Sequence, residues 1–206
     1  MSKTVRWCWK LNKNSTIALA TISLFAALTA IGAFIKIPLP YVPFTLQVLF
    51  VFLAGSLLGS KRGLQSQLAY VAIGLAGLPV FTQGGGIGYF LQPTFGYLLG
   101  YIGGAFVVGL IVERIANPKT YHFILANLAG LLVVYLIGVP YLYMALNLWM
   151  GIPTSWTHVW MIGFVYAIAG DVLISMIAGV LATRLYKVFH KIRNEQPISV
   201  QVKKAM

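Results

Sequence analysis

Residues Gly77–Tyr97 read GLPVFTQGGGIGYFLQPTFGY, and the chain on either side of them is apolar for the length of a membrane span, with no charge between Gly63 and Val112. A regular helix does not run comfortably through Gly84, Gly85, Gly86, Ile87 and Gly88, because glycine loses the most backbone entropy on ordering. Irregular backbone at membrane depth persists only where protein buries it or where it lines a cavity. Glycine N–H groups allow close approach to a ligand. Gln83, Tyr89 and Gln92 beside them are the polar and aromatic groups that a small amphipathic solute needs. On these residues alone two readings stay open: a flexible connection between spans, or a binding element that includes Gly85 and Gly86.

Composition settles the class. Of 206 residues, 59% are hydrophobic and 9% charged, and the mean hydropathy is +0.85. This is an integral membrane protein. Fifteen Lys and Arg against three acids give a formal charge of +12, but the bases stand at the ends of apolar runs. They are a topology signal, not a nucleic-acid surface. The lone Cys8 excludes an internal disulfide framework, and between Trp7 and Trp9 it reads as an interfacial packing residue. The basic start followed by an apolar run imitates a signal peptide. That run, Ile17–Ile35, is 19 residues without a charge and more spans follow, so it reads as a retained helix.

Six spans are expected, at about 15–35, 45–59, 64–81, 94–115, 121–146 and 159–186, forming one all-α membrane domain over residues 1–206. Span one carries Ala26 and Ala30, and Ser23 and Ala27, in small-xxx-small spacing that suits close helix approach, either to a partner or within the chain. Pro38, Pro40 and Pro43 exclude a regular helix from the link that follows, and Thr45 and Gln47 place polar groups at the entrance of span two, where they are candidate substrate-binding residues. Gly96, Gly100 and Gly104 form a tight-packing ladder in span four, and Pro140 predicts a kink or break in span five. Trp149, Pro153 and Trp156 give the link 147–158 an interfacial composition.

Fourteen of the fifteen bases fall on one side of this arrangement: four in the N-terminal tail, Lys61 and Arg62, Arg114 and Lys119, and six at the C-terminal end. Lys36 alone lies on the other. Both termini are therefore expected in the cytoplasm, with the proline link, the glycine stretch and the tryptophan link outside.

Asp171 is the one acid inside a span, about 12 residues into span six, hence roughly 18 Å from its outer end. An aspartate at mid-membrane costs about 2.5–3.5 kcal/mol and faces a cavity or a partner. It reads as a ligand acceptor, against the alternative of a buried structural carboxyl. Catalytic signatures are missing: no GxxxxGK[ST], no HExxH and no second intramembrane carboxylate. His122, His158 and His190 fall near span ends. No catalytic or metal residues are assigned and no cofactor is expected on this chain. Energy for active transport must come from partners or an ion gradient.

The runs IPLPYVPFTLQ (Ile37–Gln47), GLPVF (Gly77–Phe81), the glycine cluster, PTFGYLLG (Pro93–Gly100) and Gly170–Asp171, in this order, resemble the BioY family. These are the biotin-specific S components of energy-coupling-factor (ECF) transporters. The resemblance covers nearly the whole chain. It implies a six-helix subunit of the plasma membrane that captures biotin from outside, with a transmembrane coupling protein and two cytoplasmic ATPases supplying the energy. It also implies that Ala26 and Ala30 meet the coupling protein. Asp171 would accept the ureido N–H groups of biotin, with backbone N–H groups or glutamine amides on its oxygens and Phe81, Tyr89 and Tyr41 over its rings. One position departs: the family usually has lysine one turn after this aspartate, where this chain has Ile174. An S component for another vitamin-like solute is the nearest rival. A membrane-embedded transferase or protease lacks a second catalytic group, and a pure scaffold leaves Asp171 without a role.

Overall fold

The computed structural model describes residues 3–39 and 41–194, with side chains for 16–39 and 41–189. Pro40, Lys203 and Lys204, and the side chains of Lys3, Arg6, Cys8, Lys10, Lys13, His190, Lys191 and Arg193, lie outside the described residues.

Among the described residues, four helical stretches are long and apolar enough to cross a membrane: Thr16–Phe34, Phe95–Glu113, Thr120–Trp149 and Trp156–Phe189. The protein is a multi-pass membrane protein. The first stretch belongs to α1 (Lys3–Phe34). A two-residue antiparallel hairpin follows, β1 (Lys36–Ile37) and β2 (Phe44–Thr45). Then come α2 (Gln47–Leu58), α3 (Ser60–Leu75), α4 (Phe95–Glu113) and α5 (Thr120–Met144). The last span is α6 (Trp156–Trp160), a π turn at Met161–Val165, and α7 (Tyr166–Asn194).

The shortest of the major helices sits at the centre. α2 has 12 residues, about 18 Å of helix, well under a hydrocarbon core of about 30 Å. Its sequence QVLFVFLAGSLL is apolar on every side, the pattern of a helix surrounded by protein. α1, α3, α4 and α7 pack around it. Such a helix gains from neighbours what it cannot gain from lipid.

A one-residue turn joins α2 to α3. Gly59 takes φ 86°, a left-handed conformation that a side chain disfavours. Glu113, at the end of α4, then closes the start of α3: Ser60 N–H donates to its Oε1 at 3.1 Å and Ser60 Oγ donates to Oε2 at 2.7 Å. The carboxylate also faces the positive end of the helix dipole. On the far side of α4 the glycine ladder packs as its spacing predicts. A Cβ on Gly100 would lie 2.8 Å from the backbone of Val134, and one on Gly104 3.1 Å from the carbonyl of Gly130, both on α5.

Several boundaries differ from the sequence reading. The second helix starts at Gln47, because Thr45 is drawn into β2. The third runs Ser60–Leu75 instead of 64–81. The Glu113 cap lets it begin before Lys61 and Arg62, and Gly77 (φ 110°) and Pro79 end it early. α5 does not break at Pro140; it continues to Met144 and then widens into a π turn, Ala145–Trp149. α1 begins at Lys3, well before residue 15.

α1 packs on α2 and α3. Ala26 is only 5% exposed and belongs to the chain's own core, and Ala30 is half-buried against it. The other small pair read from the sequence, Ser23 and Ala27, is exposed.

Replacing Glu113 by alanine leaves the first turn of α3 uncapped. The expected loss is about 0.5–2 kcal/mol, read as a lowered thermal unfolding midpoint of the purified protein.

Candidate functional site

Three segments meet at the end of the bundle opposite Lys61 and Arg62. The first is the hairpin, where Lys36 pairs with Thr45 and Ile37 with Phe44. Leu46 N–H donates to the Ile35 carbonyl at 3.1 Å, which brings the chain back onto the end of α1. Thr45 and Gln47 turn inward as a result, Gln47 to 2% exposure, so they are buried groups and not polar residues at a membrane edge. Gln47 is wired at both ends of its amide: Oε1 accepts from Thr45 Oγ1 at 3.2 Å, and Nε2 donates to Tyr70 Oη at 2.7 Å. Tyr70 in turn donates to the Val80 carbonyl at 3.1 Å.

The second segment is the glycine stretch, which is a built turn. Phe81 N–H donates to the Gly84 carbonyl at 2.9 Å, and Gly84 N–H returns the bond at 3.3 Å. Gly86 N–H reaches the Gly74 carbonyl at 2.7 Å. Gly84 and Gly86 have φ of 112° and 105°, which explains why glycines stand there. Phe81 fills the space beside Gly74, where a Cβ would lie 2.0 Å from its ring, and contacts Tyr70 and Tyr89 with centroids 5.4 and 4.4 Å away. Tyr89, in a 3₁₀ turn at Ile87–Leu91, shares hydrogen bonds of 3.0 Å with the hydroxyls of Thr82 and Thr94.

The third segment is the end of α5 with the π turn Ala145–Trp149 that follows it. Tyr141 donates to the Phe90 carbonyl, and Trp149 Nε1 donates to the Leu91 carbonyl at 2.6 Å. Their rings contact each other at 5.7 Å, and Tyr141 also meets Phe95 at 5.9 Å.

Under these segments lies a cavity of about 40 Å³, walled by residues that include Phe44, Thr45, Gln47, Thr82, Tyr89, Thr94, Tyr97, Tyr101, Tyr135 and Asp171. Its size is small beside the roughly 300–1,000 Å³ of typical ligand pockets, so the chemistry of the walls carries the information. Asp171, 8% exposed on α7, is the one charged group among them. Its Oδ2 accepts a hydrogen bond from the Tyr135 hydroxyl of α5. Tyr97 donates to the Gly163 carbonyl at 2.7 Å and meets the Tyr135 ring edge-on at 6.2 Å. A Cβ on Gly170 would lie 2.5 Å from the Phe44 ring, so glycine there lets the hairpin seat next to Asp171. The result is an acceptor at one pole of an aromatic chamber, suited to a compact solute with N–H donors and apolar rings.

Of the site residues read from the sequence, the structure brings Asp171, Gln47, Thr45 and Tyr89 to the cavity wall. Phe81 stands behind Tyr89, while Gln83 and Gly85 are exposed and Gly86 and Gln92 partly so on the turn above. Tyr41 is exposed at the hairpin turn with φ 63°. Wall residues not singled out include Thr82, Thr94, Tyr97, Tyr101 and Tyr135. Tyr97 and Tyr101 are four apart on α4 and so share a face, a signal present in the sequence. Ile174 is 7% exposed within the hydrophobic core, and the recorded hydrogen bond to the Asp171 carboxylate comes from Tyr135.

Residues 3–191 match the BioY family. The "Probable biotin transporter BioY" of Lysinibacillus sphaericus is 55% identical over 191 residues, covering 93% of this chain and 97% of that protein. The "Biotin transporter BioY" of Thermotoga maritima is 40% identical, with 80% and 92% covered. A solved structure described as the "S-component for biotin from an ECF-type ABC transporter" aligns with TM-score 0.73 at 29% identity, over 85% of this chain and 94% of that one.

Tyr135→Phe removes the donor that Asp171 holds inside the bundle. The expected cost is about 1–2 kcal/mol, the worth of an interhelical hydrogen bond in a membrane, measured as a drop in thermal stability in detergent.

Proposed function

Because this chain belongs to the BioY family, we propose that it is a six-span, plasma-membrane S component that captures biotin from outside at the Asp171 cavity. Its function is biotin uptake, and it is a transporter component rather than an enzyme. The observation that carries the site assignment is the Asp171 carboxylate set into an aromatic chamber with Tyr135 as its recorded donor. A carboxylate that needs further donors matches the two N–H groups of a ureido ring, and Tyr89, Tyr97 and Tyr101 supply apolar faces for the fused rings. Thr45 bonds Gln47, and Gln47 bonds Tyr70, which holds this part of the wall in place. Partner subunits, a transmembrane coupling protein and an ATPase pair, supply the energy, consistent with the lack of any nucleotide motif here. The cytoplasmic side is the one that carries Lys61, Arg62, Arg114 and Lys119.

The six-span orientation has a direct check. Gly88 is exposed and has open space where a Cβ would go, and Lys61 is exposed at the start of α3. Single cysteines at these two positions, in a chain without Cys8, are expected to react with an impermeant reagent from opposite sides. Reaction of both from outside removes the arrangement.

Binding is tested with the purified chain alone. Labelled biotin should bind without ATP or partners, and Asp171→Asn should weaken it. Hydrogen bonds to a charged acceptor contribute about 1.5–3 kcal/mol against 0.5–1.5 for a neutral one, so the expected loss is about 5- to 30-fold in affinity. Unchanged affinity in Asp171→Asn makes this carboxyl structural and moves the site toward the glycine turn.

A further inference from the structure

Biotin has two ends of opposite character, and the Asp171 pole answers only one of them. The ureido ring brings N–H donors; the valeryl chain ends in a carboxylate, and that group leaves water at a cost unless a cation or several donors receive it. The cavity walls contain no Lys or Arg. Across the links 36–46, 76–94 and 147–158, which all stand at this end of the bundle, there is one Lys or Arg in the sequence: Lys36.

The surroundings of Lys36 tie it to the cavity twice. In the hairpin its strand partner is Thr45, a wall residue. Its side chain is exposed, yet the ammonium folds over to donate to the main-chain carbonyl of Thr82, a second wall residue, 46 positions along the chain. Thr82 also shares a hydrogen bond with Tyr89, the aromatic residue that stands over the cavity from the glycine turn. The ammonium therefore sits at the rim where the hairpin meets the glycine turn. The described carboxylates are both engaged elsewhere, Glu113 with Ser60 at the opposite end and Asp171 with Tyr135. A neutral carbonyl uses one of the three donors of an ammonium and leaves its charge unneutralised.

We propose that Lys36 is the specificity residue for the carboxylate end of the solute, receiving it at the rim while Asp171 receives the N–H end below. The assignment rests on the biotin reading above and deepens it. One base and one acid then mark the two ends of the solute, and the molecule can load in only one direction. The flexible four-carbon stem of lysine lets the ammonium swing from the Thr82 carbonyl to a carboxylate without moving the hairpin.

The test titrates the purified full chain with biotin and with its carboxamide, in which a neutral amide replaces the carboxylate. Wild-type protein is expected to prefer biotin about tenfold, equivalent to about 1.4 kcal/mol. Lys36→Gln should abolish the preference by weakening biotin alone, and Lys36→Arg should keep it. If Lys36→Gln weakens both ligands equally, the lysine is a strut between hairpin and turn, and the assignment falls. It falls too if the preference persists in Lys36→Gln, which leaves the ammonium to lipid phosphates. Failure of the wild type to bind either ligand overturns the biotin reading itself, and the role of Lys36 with it.

Discussion

A carboxylate deep among apolar helices constrains everything around it. Asp171 carries a cost of about 2.5–3.5 kcal/mol at mid-membrane, and a donor from a neighbouring helix offsets part of it. Tyr135 reaches across from α5 to donate to it. One turn on, Ser175 Oγ donates to the Asp171 carbonyl at 2.6 Å, and the Ser175 carbonyl accepts from Asn127 Nδ2 at 3.0 Å. Asn127 Oδ1 then accepts from Ser56 on α2 at 3.3 Å. Two bonds to main-chain carbonyls of α7 and one between side chains thus tie α7, α5 and α2 together. Ser56 also lines a cleft at the opposite end of the bundle, beside Glu113 and Lys119. A run of buried polar contacts therefore extends from the cavity to that end.

The short central helix is what makes the cavity possible. Because α2 is only about 18 Å long, its start lies well inside the bundle, and the chain must enter it through non-helical backbone. The hairpin fills that role and delivers Thr45 and Gln47 to the wall. At the other end the same helix turns at Gly59 and hands the chain to α3 under the Glu113 cap. α3 also stops early, at Leu75, and the glycine turn completes the other side of the chamber. Two helices that end before the others leave the space that their loops then line.

Much of this was legible in the sequence, for physical reasons that can be named. The membrane class follows from composition, and the glycine stretch announces irregular backbone because few other residues tolerate φ near 110°. Asp171 stands out because a charge in a span is costly. The residues that escaped notice are those whose role depends on distant partners. Tyr135 is one tyrosine among eleven until α7 brings Asp171 within reach of its hydroxyl. Thr45 and Gln47 stand out in the sequence as candidate contacts at a span entrance, but only the fold of the hairpin shows them buried. Sequence pattern starts the third span at residue 64, because Lys61 and Arg62 look like loop residues. Their helical turn depends on a carboxylate more than fifty residues away. Local pattern reports the price of a residue in its place; it does not report which neighbour relieves it.

The hydrogen bond from the Trp149 indole to the Leu91 carbonyl gives the molecule an optical property. The indole N–H sits on the turn that carries Tyr89, and its ring also contacts Tyr141. Tryptophan emission responds to the polarity and hydrogen bonding at this nitrogen, so displacement of the turn alters the light this side chain emits. The chain thus contains its own chromophore at the roof of the chamber, coupled to the backbone by a single bond. The other four tryptophans contribute to the same spectrum: Trp7 and Trp9 near the start of the sequence, and Trp156 and Trp160, which contact Tyr143 and Phe164. Against their background, the Trp149 signal reports on the roof without any attached dye.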